Sequence, residues 1–256
     1  MTRVIGIISG KGGVGKTTVV ANLGSIMAQT FKKEVIIIDC NVSTSHLGLY
    51  LGMYYTPVTL NQVLTGEAKI EDAIYQYHIS GLRVIPASLS FSDLKGVDIA
   101  RLRNSIKKLF GKADIILLDA APGLGREAMA TVRASDEVIF VNTPFVPSTM
   151  DIIKCHQVAN EMGVKPLGVI LNMVGGEKYE LTPKEVEELI ELPVISSIPL
   201  DKNVYRSLAL KMPVVLFSPN SSSSREFVRL AARLLGEEHE AEGWLSRLMK
   251  RFGRKK

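Results

Sequence analysis

Ten residues near the start of the chain, SGKGGVGKTT at positions 9–18, combine four glycines with two lysines. Glycine costs conformational entropy wherever the backbone is ordered, so such a cluster requires a local reason. Residues 10–17 match the pattern G-x-x-x-x-G-K-S/T, which is typical of loops that bind phosphate. Residues 3–8 before the loop read as a buried strand, and residues 18–29 after it carry apolar side chains at helical spacing. The sequence therefore predicts a strand, a phosphate-binding loop and a helix.

This order of elements brings backbone N–H groups and a helix N-terminus to one point, where they bind phosphate oxygens. The Lys16 ammonium would reach the β- and γ-phosphates of a nucleotide, and the Thr17 hydroxyl would ligate Mg²⁺. The predicted nucleotide-binding residues of the loop are consecutive: Gly12, Gly13, Val14, Gly15, Lys16, Thr17 and Thr18.

Two aspartates each follow a run of apolar residues: Asp39 comes after VIII, and Asp119 comes after IILL. Ligands of open α/β sheets bind beyond the carboxyl ends of the strands, so both side chains are candidates to hold Mg²⁺, directly or through water. The alternative is an ordinary turn or helix-capping aspartate. The stretch AAPGLGRE after Asp119 is a Gly/Pro-rich turn suited to sensing a γ-phosphate.

Short apolar runs alternate with amphipathic segments along most of the chain. The runs are at residues 3–8, 35–38, 82–85, 115–118, 138–141, 167–171 and 194–198, and the segments include 99–110, 151–162 and 183–189. Such alternation predicts α/β architecture: a doubly wound, mostly parallel sheet of about seven to eight strands with helices on both faces. We expect one domain at residues 1–243. Within it we expect Ser221–Ser224 to be a solvated loop that caps a helix at 225–235.

The composition agrees with an intracellular α/β protein. Hydrophobic residues make up 46% of the 256 residues and aromatic residues only 6%, which suits a parallel sheet of Val, Ile and Leu. Cys40 and Cys155 form no C-x-x-C pair, which favours a reducing cytosol and gives no metal framework. The sequence shows no signal peptide and no apolar run as long as a membrane span. We therefore expect a soluble, cytoplasmic protein.

The C-terminal tail (residues 244–256) reads WLSRLMKRFGRKK. Its six Lys and Arg residues, with no acid among them, exceed the net charge of +5 by one, so residues 1–243 carry a net charge of −1. A basic amphipathic helix with aromatic residues on its apolar face predicts an anchor in a membrane interface. The alternatives are a helix that docks on its own core and a tail that binds nucleic acid or a protein. The predicted membrane-binding face consists of Trp244, Leu245, Leu248, Met249 and Phe252.

The loop sequence KGGVGKTT resembles the deviant phosphate loop of the MinD/ParA family of ATPases, whose additional lysine matches Lys11. IIIDCN is similar to the first switch of the family, and ILLDAAPGLGREA is similar to the second, with Asp119 in the Walker-B position. GVILNMV and SIPLD resemble the strand end and the loop that contact adenine, through Asn172, Pro199 and Asp201. The resemblance runs from residue 3 to about residue 201.

Other branches of the family fit less well. ParA-type partition proteins carry D-x-D-P-Q in the first switch, where this chain has DCNVST. Iron–sulfur relatives such as nitrogenase iron protein need cluster cysteines in the second half of the chain, where only Cys155 is available, and Mrp-type scaffolds need a C-x-x-C pair. The resemblance therefore favours the MinD branch, whose members end in a targeting helix similar to the C-terminal tail.

The resemblance implies the phosphate-loop NTPase fold, similar to nitrogenase iron protein, and the catalytic candidates Lys11, Lys16, Asp39 and Asn41. Lys11 would reach across a nucleotide-sandwich dimer to the phosphates held by the other subunit. The family usually has D-x-D in the first switch, and Asn41 replaces the second aspartate, which is thought to position or deprotonate the attacking water. An amide can orient water but cannot take its proton, so we expect slow hydrolysis. His46 nearby could titrate, although a lone histidine is more often a surface residue.

The expected protein is thus an ATPase with ATP and Mg²⁺ as cofactors that forms a homodimer with ATP. It would associate peripherally with anionic lipid at the inner face of the cell membrane and position an unidentified partner or activator protein. The near-neutral charge of residues 1–243 disfavours DNA as a partner. The alternatives are an ATP-gated recruitment scaffold that does not hydrolyse ATP and a ParA-type DNA partition ATPase.

Overall fold

A computed structural model describes residues 2–237 of the chain. The C-terminal tail, with the predicted membrane-binding residues Trp244, Leu245, Leu248, Met249 and Phe252, lies outside the described residues. The same holds for the last residues of the predicted domain, 238–243.

One eight-stranded sheet forms the centre of the described chain, in the order β3-β4-β2-β5-β1-β6-β7-β8. All neighbouring strands are parallel except β3 and β4, which are antiparallel. This confirms the predicted mostly parallel α/β sheet. The strands are β1 (Arg3–Ile8), β2 (Val35–Asp39), β3 (Tyr75–Tyr77), β4 (Leu82–Ile85), β5 (Ile115–Asp119), β6 (Glu137–Asn142), β7 (Lys165–Val174) and β8 (Val194–Pro199).

Ten α-helices connect the strands within the described residues. Three short 3₁₀ helices occur at Ile70–Ala73, Phe91–Leu94 and Ile99–Arg101. The α-helices are α1 (Lys16–Gln29), α2 (Leu47–Tyr50), α3 (Leu60–Thr65), α4 (Leu102–Lys107), α5 (Arg126–Ala134), α6 (Val146–Glu161), α7 (Pro183–Ile190), α8 (Lys202–Ala209), α9 (Val214–Phe217) and α10 (Ser222–Leu235).

The alternation of side chains along β1 shows how the two faces of the sheet are covered. Ile5 and Ile7 point into a core that includes α1 and α10. Val4 belongs to a core with α3 and α4, and Ile8 to a core with α6 and α7. Because successive side chains of a strand point to opposite faces, helices cover both sides of the sheet. Central strands buried on both faces need continuous apolar sequence, which is why runs such as VIII predict strands correctly.

Three predicted elements differ from the structure. The helix predicted at 99–110 is a 3₁₀ turn at Ile99–Arg101 followed by α4, and α6 begins five residues earlier than predicted. The solvated loop predicted at Ser221–Ser224 is wrong, because Ser223 and Ser224 are fully buried in the first turn of α10. The predicted cap is present, since the Ser221 side chain accepts a hydrogen bond from Ser224 N. Within residues 2–237, none of the helices has the length and apolar character needed to cross a bilayer.

Candidate functional site

The glycine-rich loop (residues 9–15) connects β1 to α1 at the carboxyl edge of the sheet. Gly13 and Gly15 have φ angles of 78° and 96°, a left-handed conformation that side chains with a Cβ rarely adopt. A Cβ on Gly10 would lie 2.2 Å from the Cβ of Asp151, because α6 packs closely against the loop. The glycines of the motif therefore serve both the shape of the loop and its packing.

The Lys16 ammonium is already in place at the head of the loop. Its Nζ donates to Ser9 Oγ at 2.7 Å, and Ser9 Oγ donates to the carbonyl of Lys11 at 2.7 Å. Burial lowers the pKa of Lys16, although the negative charge of Asp119 opposes this shift. Lys11 lies on the same loop and is half-buried. The loop thus presents one buried, hydrogen-bonded cation and a second cation nearer its surface.

Asp39 and Asp119 lie opposite each other at the ends of the adjacent strands β2 and β5. Thr17 Oγ1 donates to Asp119 Oδ2 at 2.6 Å, which joins the first turn of α1 to the Walker-B position. The other oxygen, Asp119 Oδ1, is buried and accepts no hydrogen bond from the described residues. Burial, and next the charge of Asp39, raise the pKa of Asp119 to about 7, against the opposing effects of Thr17 and Lys16. A cation beside Asp119 would relieve this unfavourable charge.

The residues around Asp119 fit a magnesium ion that is only partly held by protein. Within residues 2–237, no three His, Cys, Asp or Glu side chains cluster as a metal site. Mg²⁺ characteristically keeps several waters and is held by one or two carboxylates together with substrate phosphates. The Thr17 hydroxyl and the orphaned oxygen of Asp119 provide this type of donor set beside the loop.

Asp39 organises the first switch loop (residues 40–46) by accepting hydrogen bonds from it. Its Oδ1 accepts the amide of Asn41 at 3.1 Å, and its Oδ2 accepts Ser45 Oγ at 2.8 Å and the amides of His46 and Leu47 at 3.2 and 3.1 Å. Burial raises the pKa of Asp39, and these hydrogen bonds oppose the shift. Both oxygens are thus engaged by the chain itself, and Oδ2, which accepts three hydrogen bonds, could ligate a metal directly only if the loop rearranged.

The Asn41 side chain is folded back onto its own loop. Its Nδ2 donates to the carbonyl of Thr44 at 2.7 Å, and Thr44 Oγ1 donates to Asn41 Oδ1 at 3.0 Å. The neighbouring Ser43 hydroxyl donates to Glu127, which belongs to the second switch and lies in the first turn of α5. The His46 side chain is exposed. The first switch is therefore bonded internally and to the second switch.

The residues predicted to contact adenine lie together, but their polar groups bind the chain. Asn172, Pro199 and Asp201 line one narrow cavity of about 50 Å³. This is well below the roughly 300 Å³ or more of typical ligand pockets, so a base would occupy its open rim. Asn172 Nδ2 donates to the carbonyl of Val14 at 2.7 Å and so supports the glycine-rich loop from behind.

Asp201 joins the N-terminal ends of two helices. Its Oδ1 accepts the amide of Asn203 at 2.8 Å, and its Oδ2 accepts Ser223 Oγ at 2.8 Å and the Ser222 hydroxyl at 3.2 Å. Burial alone would raise the pKa of Asp201, but the hydrogen bonds from Asn203, Ser223 and Ser221 together lower it to about 2. Its carboxylate is therefore a structural clamp between α8 and α10.

Comparison with known proteins adds to this geometry. Residues 5–214 match the model of a protein family, the CobQ/CobB/MinD/ParA nucleotide-binding domain. The chain belongs to this family. An uncharacterised ATP-binding protein of Methanocaldococcus jannaschii is 35% identical over 262 aligned positions, which cover 100% of this chain and 98% of the relative.

Two solved structures of MinD proteins have a closely similar fold. The cell division ATPase MinD of Pyrococcus furiosus is 33% identical, with a TM-score of 0.89 over 92% of this chain and 99% of its own. The septum site-determining protein MinD of Pyrococcus horikoshii, solved with Mg-ADP, is 33% identical, with a TM-score of 0.88 over 91% and 96% of the two chains. The predicted MinD-like relationship is confirmed. The P. horikoshii protein binds an adenine nucleotide together with Mg²⁺, the combination of cofactors that the sequence predicts.

Sequence reasoning missed the residues that hold the charged groups in position. Ser9 binds Lys16, Ser45 binds Asp39, and Ser43 connects the first switch to Glu127. A small polar residue directly before the glycine motif could have pointed to Ser9. For the other contacts the sequence carries no signal, because they depend on how two loops approach each other.

Proposed function

We propose that this MinD/ParA-family protein is an ATPase that dimerises with ATP and Mg²⁺, binds a membrane surface as a dimer, and there positions a partner protein. The observation that carries the proposal is the buried Asp119 Oδ1 beside Thr17, which has no hydrogen-bond partner among residues 2–237. It lies at the head of a glycine-rich loop that already holds the Lys16 ammonium. An oxygen that lacks a partner in a buried site is satisfied when a cation and its bound phosphates arrive.

The phosphate groups would be held by the chain at several points. The backbone amides of residues 12–18 and the N-terminus of α1 would bind the oxygens, and Lys16 would move from Ser9 onto the β- and γ-phosphates. When bound, Mg²⁺ supplies neutralisation of the charge that develops on the phosphates. Thr17 and Asp119 would hold it, with Asp39 as a further candidate once the first switch rearranges.

Dimerisation would depend on Lys11 of each protomer, which would reach the phosphates held by its partner. The lysine lies on the same loop as Lys16, but it is less buried, which suits a contact between subunits. Catalysis would be in-line attack of water on the γ-phosphate, with Lys16 and Lys11 stabilising the developing charge.

Hydrolysis would be slow, because Asn41 stands where a carboxylate would take the proton of water. We expect a rate near the lower end of the range for nucleotide switches, about 10⁻⁴ to 10⁻² per second. Slow turnover would reset the dimer after it has acted. A scaffold that never hydrolyses ATP is the alternative, and multiple-turnover phosphate release separates the two.

Membrane attachment would use the C-terminal tail from the cytoplasmic side. One short amphipathic helix binds a bilayer only marginally, and its six cations add roughly 1 kcal/mol each near anionic lipid. A dimer carries two tails, and overall avidity can then rise by roughly 10²-fold or more. The bound dimer would be the form that recruits the partner protein. DNA partition is disfavoured, and salt-sensitive DNA retention by a version ending at residue 243 would restore it.

Light scattering tests the dimer. ATP with Mg²⁺ should convert monomer to dimer, and ADP should not. Lys16→Ala should abolish nucleotide binding or its coupling to assembly, whereas Lys11→Ala should still bind ATP and remain monomeric. Lys184→Ala, a change of the same type at an exposed position on α7, is the control and should dimerise normally. An ATP-bound mass for Lys11→Ala equal to that of the unmodified protein would refute the role across the dimer.

Co-sedimentation with vesicles tests the membrane step. Binding should require ATP and anionic lipid, and it should fall with salt because ions screen the cations of the tail. Leu248→Glu should detach the protein without affecting dimerisation. Ser246→Glu, which adds the same charge outside the predicted apolar face, should have a smaller effect. If the full-length protein fails to co-sediment with vesicles in every nucleotide state, the membrane role is excluded.

A further inference from the structure

A groove of about 640 Å³ lies at the edge of the sheet opposite the glycine-rich loop, where β1 and β5 begin. Phe110 lines it and is 47% exposed. Thr2 fixes the adjacent loop, since its Oγ1 donates to the carbonyl of Ala113 at 2.6 Å and accepts the amide of Gly111 at 2.9 Å. The groove is therefore a preformed part of the fold with an aromatic surface inside it.

Acidic side chains dominate the rim of the groove. Arg3 is paired with Glu137 at 2.7 Å, and the Lys112 ammonium is turned away to Glu71 at 2.8 Å. Asp114 and Asp136 each accept a backbone amide, which leaves their negative charge in place. The carboxylates of the groove are Glu34, Asp114, Asp136 and Glu137, and Glu34 is paired with Arg83 at 2.9 Å. The groove thus joins apolar surface to the negative charge of Asp114 and Asp136.

The described chain ends at the rim of this groove. Arg3 Nη1, which lines the groove, donates to the carbonyl of Leu234 at 2.7 Å near the end of α10. Glu237, the last described residue, is paired with Lys33 at 2.6 Å, directly beside Glu34 of the groove. From there Trp244 is about 25 Å of extended chain away at most, so the tail begins within reach of the groove.

A second exposed apolar surface suits a basic tail less well. Leu200, Tyr205 and Leu210 are exposed around α8 at the opposite edge of the sheet. This surface lies among cations, with Lys202 and Arg206 on the same helix and Lys211 placed 4.4 Å over the ring of Tyr54. Like charges would repel the tail there, whereas the groove beside Phe110 would attract it.

We propose that in the monomer the C-terminal tail docks in cis into the groove at Phe110, with its apolar residues on the aromatic surface and its Lys and Arg residues against the acidic rim. Docking would occupy the same apolar face that a bilayer requires. Docking would therefore keep the tail from binding lipid. The tail would leave the groove when a dimer, which carries two tails, meets an anionic membrane surface. The proposal rests on the membrane-binding tail of the proposed function, but it does not depend on ATP hydrolysis.

The tail contains the only tryptophan of the chain, Trp244, so its fluorescence reports docking directly. The full-length protein without nucleotide or lipid should emit at shorter wavelength than a peptide of residues 244–256 and should be less quenched by acrylamide. Phe110→Ser and the double variant Asp114→Asn/Asp136→Asn should both shift the emission to that of the peptide. Glu177→Gln/Glu188→Gln, which removes two charges at exposed positions elsewhere, should leave the emission unchanged. Circular dichroism would confirm that each variant is folded.

The same variants predict a gain in membrane binding. Without ATP, the groove variants should bind anionic vesicles severalfold more tightly than the unmodified protein, because the tail no longer has to leave the groove. High salt should move the emission of the unmodified protein toward that of the peptide.

Three results would overturn docking in cis into this groove. The first is emission of the full-length protein identical to that of the peptide, and the second is a shorter wavelength that the groove variants leave unchanged. The third is an emission shift that depends on protein concentration, because the tail would then bind a second copy. Failure of every form to bind vesicles would instead refute the membrane role, and the fluorescence result would stand independently.

Discussion

The carboxylates at the two ends of the candidate nucleotide site have pKa values that are shifted in opposite directions. At the phosphate end, burial and the nearby charge of Asp39 raise the pKa of Asp119 to about 7, and one of its oxygens has no partner among the described residues. At the base end, hydrogen bonds overcome the effect of burial and lower the pKa of Asp201 to about 2. One carboxylate is thus in an unfavourable environment without a ligand, and the other is fully satisfied by its own chain.

This difference separates the part of the site that responds to a ligand from the part that supports it. Binding stabilises a protein most where the free form leaves charge uncompensated, because the ligand then removes an existing penalty. We therefore expect the phosphates and Mg²⁺, more than the base, to drive changes in the switches. The base end would act as a fixed edge, with Asn172 supporting the loop and Asp201 joining two helices.

The largest expected effect is at the phosphate end, in Asp119→Asn. Hydrolysis should fall by roughly 10²-fold or more, because the carboxylate that would hold Mg²⁺ is lost. The nucleotide-free protein should at the same time become more stable, on the order of 2 kcal/mol at pH 8, because an amide replaces a buried carboxylate whose pKa is raised to about 7. Phosphate release and thermal unfolding measure the two effects.

The pH dependence of the same variant sharpens the test. A raised pKa means that the folded state favours the protonated form, so the stability of the nucleotide-free protein should decline as pH rises from about 4 through 7. Asp119→Asn should flatten this decline, while Glu188→Gln, an equal charge change on the surface of α7, should keep it. An Asp119→Asn protein that is less stable than the unmodified chain at pH 8 would contradict the comparison.

Much of the fold was accessible from sequence, because the parallel strands are buried on both faces and must be apolar throughout. Runs such as VIII at β2 and IILL at β5 therefore predict strands with nearly correct ends. The helix boundaries were harder to predict. Pro147 lies in the first turn of α6, where a proline is tolerated, but the apolar spacing begins later in the sequence. Strand β3 has only three residues, Tyr75–Tyr77, and forms because β4 offers it an antiparallel edge.

The site was predictable in its residue types but not in its present contacts. The motif places Lys16 and Thr17 next to each other, and the parallel pairing of β1 with β5 brings Asp119 to the same edge of the sheet, whatever path the switch loops take. In contrast, the partners of Asp39 depend on the path of the first switch, which turns back to bring Ser45 onto it. Asp201 lies beside Asn172 and Pro199 in the structure, but its hydrogen bond to Ser223 depends on how the N-terminal ends of α8 and α10 meet and has no local signal in the sequence.

At the base end we expect a smaller effect, and one on stability. Asp201→Ala should lower the free energy of unfolding by about 2 kcal/mol at pH 7, because it removes several hydrogen bonds to a buried carboxylate. A lowered pKa means that the contribution of Asp201 is complete above about pH 4 and is lost as pH falls toward 2. The variant should therefore lose less stability than the unmodified protein over that range in urea titrations.

A matched capping residue controls for this change. Asp98 also accepts a backbone amide at a helix start, from Ala100 N, but it is exposed, so Asp98→Ala should cost clearly less. ATP affinity should change much less in Asp201→Ala than in Lys16→Ala. A loss of affinity as large as that of Lys16→Ala would mean that the base end takes part directly in binding and is not mainly a framework.

The smallest expected effect is on the rate of hydrolysis and concerns the first switch. Asn41→Asp should raise multiple-turnover phosphate release severalfold. A carboxylate cannot donate to the Thr44 carbonyl as the amide does at 2.7 Å, so the side chain would leave that contact and could take the proton of the attacking water. Thr44→Ala, which loosens the same loop without adding a carboxylate, is the control and should leave the rate nearly unchanged. Equal acceleration in both variants would assign the gain to loop release. A slower Asn41→Asp enzyme would show that the site depends on the amide, and that the internal bonds of the first switch contribute to turnover.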